Sequence, residues 1–129
     1  MKIMHKIEDL KIWQKSIELT KLVYKLVTTL PSDEKYGLIS QIKRSSVSIP
    51  SNIAEGAGRN SNKEFKYFLS IANGSAYELQ TQLILTIELN LISKDKIQSV
   101  LNLIKEIQKM NYSFQKSLEN KISILNTQN

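Results

Sequence analysis

Apolar residues recur along this chain at the three- and four-residue steps of an α-helix throughout. Asp9 can cap a first helix that runs to about Thr29, with Pro31 just beyond it. Leu10, Trp13, Ile17, Tyr24 and Val27 form one stripe of that helix, the expected core stripe. Ser32 or Asp33 can cap a second helix, striped by Ile39, Ile42, Ser46, Ile49 and Ile53 and ending near Glu55-Gly56. Gly56-Ala57-Gly58-Arg59-Asn60 reads as a loop. Ser61-Asn62-Lys63-Glu64 reads as a capping box, which opens a third helix carrying Phe65, Leu69, Ala72, Ala76, Leu79, Leu83 and Ile87. Ser93 can cap a fourth, with Ile97, Leu101, Ile104, Ile107, Phe114 and Leu118. Short links between long helices favour antiparallel neighbours. The expected fold is all-α, an antiparallel up-and-down four-helix bundle over residues 8–119, with a frayed C-terminal tail at 120–129.

Pro50 lies inside the second helix. It lacks an N–H and crowds the carbonyl of Ser46, so a continuous helix kinked near Pro50 is expected. The alternative is a helix that ends at Ile49, with Ser51 or Asn52 capping a new short turn.

Two helices carry more apolar surface than one core stripe requires. In the first, at about 100° per residue, Lys11, Lys15, Glu18, Lys21 and Lys25 occupy one side. The apolar residues spread over about 200°, twice the stripe of an ordinary surface helix. Ile12, Leu19, Val23, Leu26 and Leu30 are therefore expected at a subunit interface. In the third helix Tyr67, Ile71, Gly74, Glu78 and Leu85 stand opposite the core stripe. Gly74 costs about 1 kcal/mol of helix propensity relative to Ala, and its expected use is close approach of another backbone. Apolar faces outside a core mark interfaces, so a homo-oligomer built on helices one and three is expected; the alternative is a thick monomeric core.

Composition narrows the chemistry. The 129 residues contain no Cys and one His, His5, which removes thiolate chemistry, cysteine-ligated metals and most His-based metal sites and triads. No cofactor and no metal are expected. No segment approaches ~18 uninterrupted apolar residues, and Met1 to Asp9 has no apolar signal core, so the expectation is a cytoplasmic protein with no membrane partner. Glu55 and Glu78 could pair as carboxylates, yet nothing beside them supplies a nucleophile or an electrophilic stabiliser. A non-enzymatic protein is expected.

Net charge is +6, distributed as +5 over residues 1–66, −2 over 67–93 and +3 over 94–129. Sixteen of the 18 basic residues are Lys, so the charge has two readings: a surface for polyanions, or a lysine-rich composition solvated on helix faces. On the first reading Lys11, Lys15, Lys25, Lys43, Arg59, Lys63 and Lys66 are the candidate phosphate contacts. Arg59 and Lys63 lead, because they flank the N-terminus of the third helix. The two arginines, Arg44 and Arg59, offer a planar fork that lysine lacks. Arg44 is a candidate to bridge to Glu55 or Glu78, within the chain or across subunits; the alternative is ordinary solvent exposure.

The segment Ser46-Val47-Ser48-Ile49-Pro50-Ser51-Asn52-Ile53-Ala54-Glu55-Gly56-Ala57-Gly58-Arg59 resembles the signature of the bacterial four-helix bundle family known from 23S rRNA intervening sequences. Asp9-Leu10-Lys11-Ile12-Trp13-Gln14, Glu34-Lys35-Tyr36-Gly37-Leu38, Gln41-Ile42-Lys43-Arg44, and the stretches Phe68 to Ser75 and Glu78 to Leu83 resemble the family in the same order. Ser45-Ser46 stands where alanines are commoner. The resemblance implies an up-down bundle assembled as a ring, usually a pentamer. A similar accessory protein of diversity-generating retroelements is a basic pentamer that binds a reverse transcriptase and nucleic acid. Two functions are thus expected as alternatives: an adaptor for structured RNA, or a scaffold that docks a protein partner without touching nucleic acid.

Overall fold

The computed structural model describes residues 6–34 and 37–128, with side chains to residue 126. His5, Lys35, Tyr36 and the last residues of the tail lie outside the described residues or side chains. The described chain is four α-helices, α1 (Lys11–Val27), α2 (Leu38–Ala57), α3 (Asn62–Glu88) and α4 (Lys94–Gln128), with 3-10 turns at Ile7–Asp9 and Ser32–Glu34. Packing runs α1 on α2, α2 on α3, α3 on α4 and α4 back on α1, the closed square of an up-and-down bundle.

The helix ends have local causes. Asp9 belongs to the first 3-10 turn, and Leu10 takes the capping position without a side-chain bond. Ser32 and Asp33 likewise form a turn of their own, and α2 begins only after Gly37. Ser61 does cap α3: its Oγ accepts from the Glu64 N–H at 3.1 Å. The Glu64 carboxylate returns to the Ser61 hydroxyl, which donates to Oε2 at 3.0 Å. At the other end of α3, Asn90 takes a left-handed φ of 58°, and the Leu91 N–H reaches back to the Thr86 carbonyl at 2.9 Å. The expected boundary at residue 119 is not marked by a break, since α4 stays helical to Gln128.

α2 passes through Pro50 without ending, so the alternative stop at Ile49 does not occur. Proline leaves the Ser46 carbonyl without its helical donor. Thr20 of α1 supplies one: its Oγ1 lies 2.9 Å from the Ser46 carbonyl and 3.0 Å from that of Ser16. The Pro50 ring is itself buried. We expect Thr20→Val to lower the unfolding free energy by about 1 kcal/mol, because a buried acceptor loses its partner. Urea unfolding checks this, and an unchanged midpoint would mean that the carbonyl is satisfied some other way.

The core is aliphatic and continuous. Ile42, Ile49, Ile53, Phe65, Leu69, Ala72, Leu79, Leu83, Ile97 and Ile104 have no solvent exposure. The expected stripes of α2 and α3 face inward. Only Ile87, at the end of α3, is half-buried.

Candidate functional site

The surfaces of α1 differ from expectation. Ile12, Leu19, Val23 and Leu30 are buried in the chain's own core, and Leu26 is half-buried against it, so the first four are not at a subunit interface. Trp13 and Ile17, expected inside, are half-buried, and Tyr24 is exposed. The apolar arc is real but turned. α1 packs against both α2 and α4, and two neighbours cover a wider arc than one stripe does. What remains outside is its two margins, Leu22 on one side and Tyr24 on the other.

α3 matches its expected arrangement. Tyr67, Ile71, Gly74, Glu78 and Leu85 all lie exposed, and Leu89 extends the row. Beside them runs a seam of small and polar residues between α2 and α3. Ser45 Oγ donates to Glu78 Oε1 at 2.7 Å, the Ser48 and Ser75 hydroxyls meet at 2.8 Å, and Asn52 Nδ2 donates to the Ser48 carbonyl at 2.8 Å. Gly56 lies inside α2 rather than in the expected loop. A Cβ there would come within 2.9 Å of Phe65 Cδ1 and Phe68 Cβ, so glycine permits the close approach of α3. Gly74 has no such reason within the chain, because a Cβ built on it meets nothing within 4 Å.

The two arginines behave differently. Arg59 Nε pairs with Glu55 Oε2 at 3.4 Å, and its guanidinium lies 4.7 Å from the centre of the Phe68 ring. Phe68 in turn meets Tyr67 edge-on at 5.2 Å. Arg44 is exposed and forms no ion pair among the described residues. Neither expected bridge to Arg44 forms among the described residues: Glu55 pairs with Arg59, and Glu78 accepts from Ser45. The same bonds hold these two carboxylates in separate contacts.

The seven candidate phosphate contacts do not form one patch. Lys15 pairs with Glu106 at 3.6 Å, and Lys66 with Glu119 at 3.1 Å. Lys43 lies 5.1 Å over the Tyr24 ring. With Arg59, four of the seven are already engaged. Lys11, Lys25 and Lys63 form no ion pair among the described residues. The antiparallel order puts Lys11, Arg59, Lys63 and Lys66 towards one end of the bundle, and Lys25 and Lys43 towards the other. Lys66 and Lys116, at 3.1 and 3.3 Å, hold the Glu119 carboxyl below the usual carboxylate range.

A second basic feature was not singled out by motif. Tyr77, Lys105, Gln108, Lys109, Tyr112 and Ser113 line a groove of about 580 Å³ between α3 and α4. Its signal was present in the periodicity. At about 100° per residue Lys94, Lys105, Lys109, Tyr112 and Lys116 share one narrow stripe of α4.

Among the described residues no group of three or more His, Cys, Asp or Glu is placed to hold a metal, and no helix is long and apolar enough to cross a membrane. These features define a class: a small basic four-helix bundle that leaves one apolar helix face uncovered. The chain belongs to the 23S rRNA-intervening sequence protein family, whose model matches residues 8–113. A solved protein of unknown function from the S23 ribosomal protein family of Bacteroides thetaiotaomicron is 31% identical. It matches 81% of this chain and 98% of its own, with a TM-score of 0.75. No curated protein matches the chain.

Proposed function

We propose that this protein is a non-enzymatic, self-assembling helical adaptor whose assembled form binds nucleic acid, structured RNA above all. The observation that carries the reading is the outer face of α3. Tyr67, Ile71, Leu85 and Leu89 are exposed in one row, and Gly74 within that row has an open approach. Exposed apolar rows of this kind are covered by partners. A second copy of the chain suits it, because Arg44 and the row lie on adjoining helices, and Arg44 forms no ion pair among the described residues. The five-membered ring implied by the family resemblance would carry a formal charge of about +30, a strongly polyvalent surface for phosphate. The ion pairs of Lys15 and Arg59 are exposed and cost little to exchange for phosphate.

Light scattering tests assembly. A mass several times 14.8 kDa at micromolar concentration is expected, and the mass of one chain would overturn the reading. Fluorescence anisotropy with a structured RNA tests binding. A signal at about 50 mM salt that collapses by about 200 mM is the expected result.

One observation favours a second reading. Four of the seven candidate phosphate contacts are engaged within the chain, as a protein-docking scaffold with a compositional charge would have them. A flat RNA titration at the lower salt, together with a copurifying protein, would establish that alternative.

A further inference from the structure

Two tyrosines on the side of the bundle are exposed without an evident structural task. Tyr77 of α3 is 55% exposed and Tyr112 of α4 is 65% exposed, and both line the α3–α4 groove. Aromatic rings stabilise a fold when they are buried, so two solvated rings at one groove contribute little to this one. Lys105 and Lys109 line the same groove, both exposed and without ion pairs among the described residues. Lys116, which pairs with Glu119, lies 5.6 Å over the Tyr112 ring.

The surrounding charges reinforce the pattern. None of the six lining residues is a carboxylate. Glu106 pairs with Lys15 of α1 and Glu78 accepts from Ser45 of α2, while Glu88 and Glu119 stand beyond the groove along the same two helices, Glu119 paired with Lys66 and Lys116. A bond from Gln108 Nε2 to Gln80 Oε1 at 2.9 Å ties the two walls together. The groove also lies about 100° around α3 from the row of Tyr67, Ile71 and Leu85, so the two are separate surfaces of that helix.

Flat π-faces beside exposed cations, with no carboxylate in the lining, match the alternating chemistry of a single strand, whose bases stack while its phosphates seek positive charge. An acidic peptide would use the lysines and have no need of the rings. We propose that the α3–α4 groove is a track for single-stranded nucleic acid, with Tyr77 and Tyr112 as stacking platforms and Lys105 and Lys109 as phosphate contacts. This rests on the nucleic-acid reading above, and it places the contact on the side of the bundle rather than at the α2–α3 turn.

The test is an anisotropy titration of the full chain with a labelled single-stranded RNA, its DNA counterpart and the corresponding RNA duplex. The single strand should bind more tightly than the duplex. Tyr77→Ala and Tyr112→Ala should each weaken single-strand binding by about 5- to 150-fold, the range of one lost base stack. Tyr77→Phe and Tyr112→Phe should retain it. The pair Lys105→Ala and Lys109→Ala should reduce the slope of log affinity against log salt by about 1.4. All four side chains are exposed, so helix content and thermal midpoint serve as folding controls. Equal binding of RNA and DNA, or a preference for RNA, supports the track either way and identifies whether the 2′-hydroxyl is read. If the native chain binds no oligonucleotide at about 50 mM salt, the nucleic-acid reading itself fails. If it binds, but the alanine variants bind as well and only Lys63→Ala weakens it, the track is wrong and the contact lies at the turn.

Discussion

Phe65→Ala should lower the unfolding free energy by about 3–5 kcal/mol, roughly 10–20 °C in thermal midpoint for a chain of this length. The ring is fully buried and meets Phe114 of α4 with centroids 5.0 Å apart and planes tilted by 59°. Its other side rests on α2 at Gly56, where even a Cβ would come within 2.9 Å of Cδ1. The ring thus joins three helices at one level of the bundle. Its removal leaves a cavity that α2 cannot fill, because glycine has no side chain to move into it. Urea unfolding at a fixed protein concentration is the measurement, since the proposed assembly would make apparent stability depend on concentration. A loss under about 1 kcal/mol would contradict the packing described for this level.

If the proposed assembly forms through α3, Ile71→Glu should convert it to single chains without unfolding them. Ile71 lies in the middle of the exposed α3 row, so a carboxylate there is harmless in an isolated bundle. At a subunit contact the same charge would be desolvated without a partner, a cost of several kcal/mol. The expected result is a scattering mass of 14.8 kDa with an unchanged helical spectrum. Gly74→Ala gives the subtler companion result. Its Cβ meets nothing within the chain, so the isolated bundle should gain about 0.5–1 kcal/mol from the better helix former. If a partner's backbone closes on Gly74, the same substitution weakens assembly. A variant that is more stable and equally assembled would move the subunit contact away from Gly74.

The α2 stripe was legible because that helix has one apolar and one polar side, and the α3 stripe because Phe65, Leu69, Ala72, Ala76, Leu79 and Leu83 keep unbroken three- and four-residue steps although an apolar row stands opposite. Ser61 was legible as a cap because its chemistry is local, satisfied within four residues by Glu64. α1 shows where that logic stops. Its apolar residues cover about half of the helix, and periodicity states only how they lie relative to one another. Centring the core on Ile17 or on Val23 satisfies the spacing equally well. Packing of α2 and α4 chose Val23, and that choice moved Ile12, Leu19 and Leu30 from the expected interface into the core.

The charged residues follow the same division. The spacing of Glu55 and Arg59 fits an ion pair along one helical turn, and that pair is formed. The pairs from Lys15 to Glu106 and from Lys66 to Glu119 join residues far apart in the chain, and they engage two of the seven candidate phosphate contacts expected between Lys11 and Lys66. The α3–α4 groove was missed for a related reason: Tyr77 and Tyr112 lie on different helices, and only the packing of those helices brings them to one groove.

What the sequence determined by itself is whatever closes within a few turns of helix: the four helices, the Ser61 cap, the inward stripes of α2 and α3, and the exposed row around Gly74. The tertiary structure decided the rotation of α1 about its axis, the rescue of the Ser46 carbonyl by Thr20, the partners of the lysines, and the groove that joins α3 to α4. The physical reason is that a helix carries its own hydrogen bonds and periodicity. Which side of it meets solvent is a property of its neighbours.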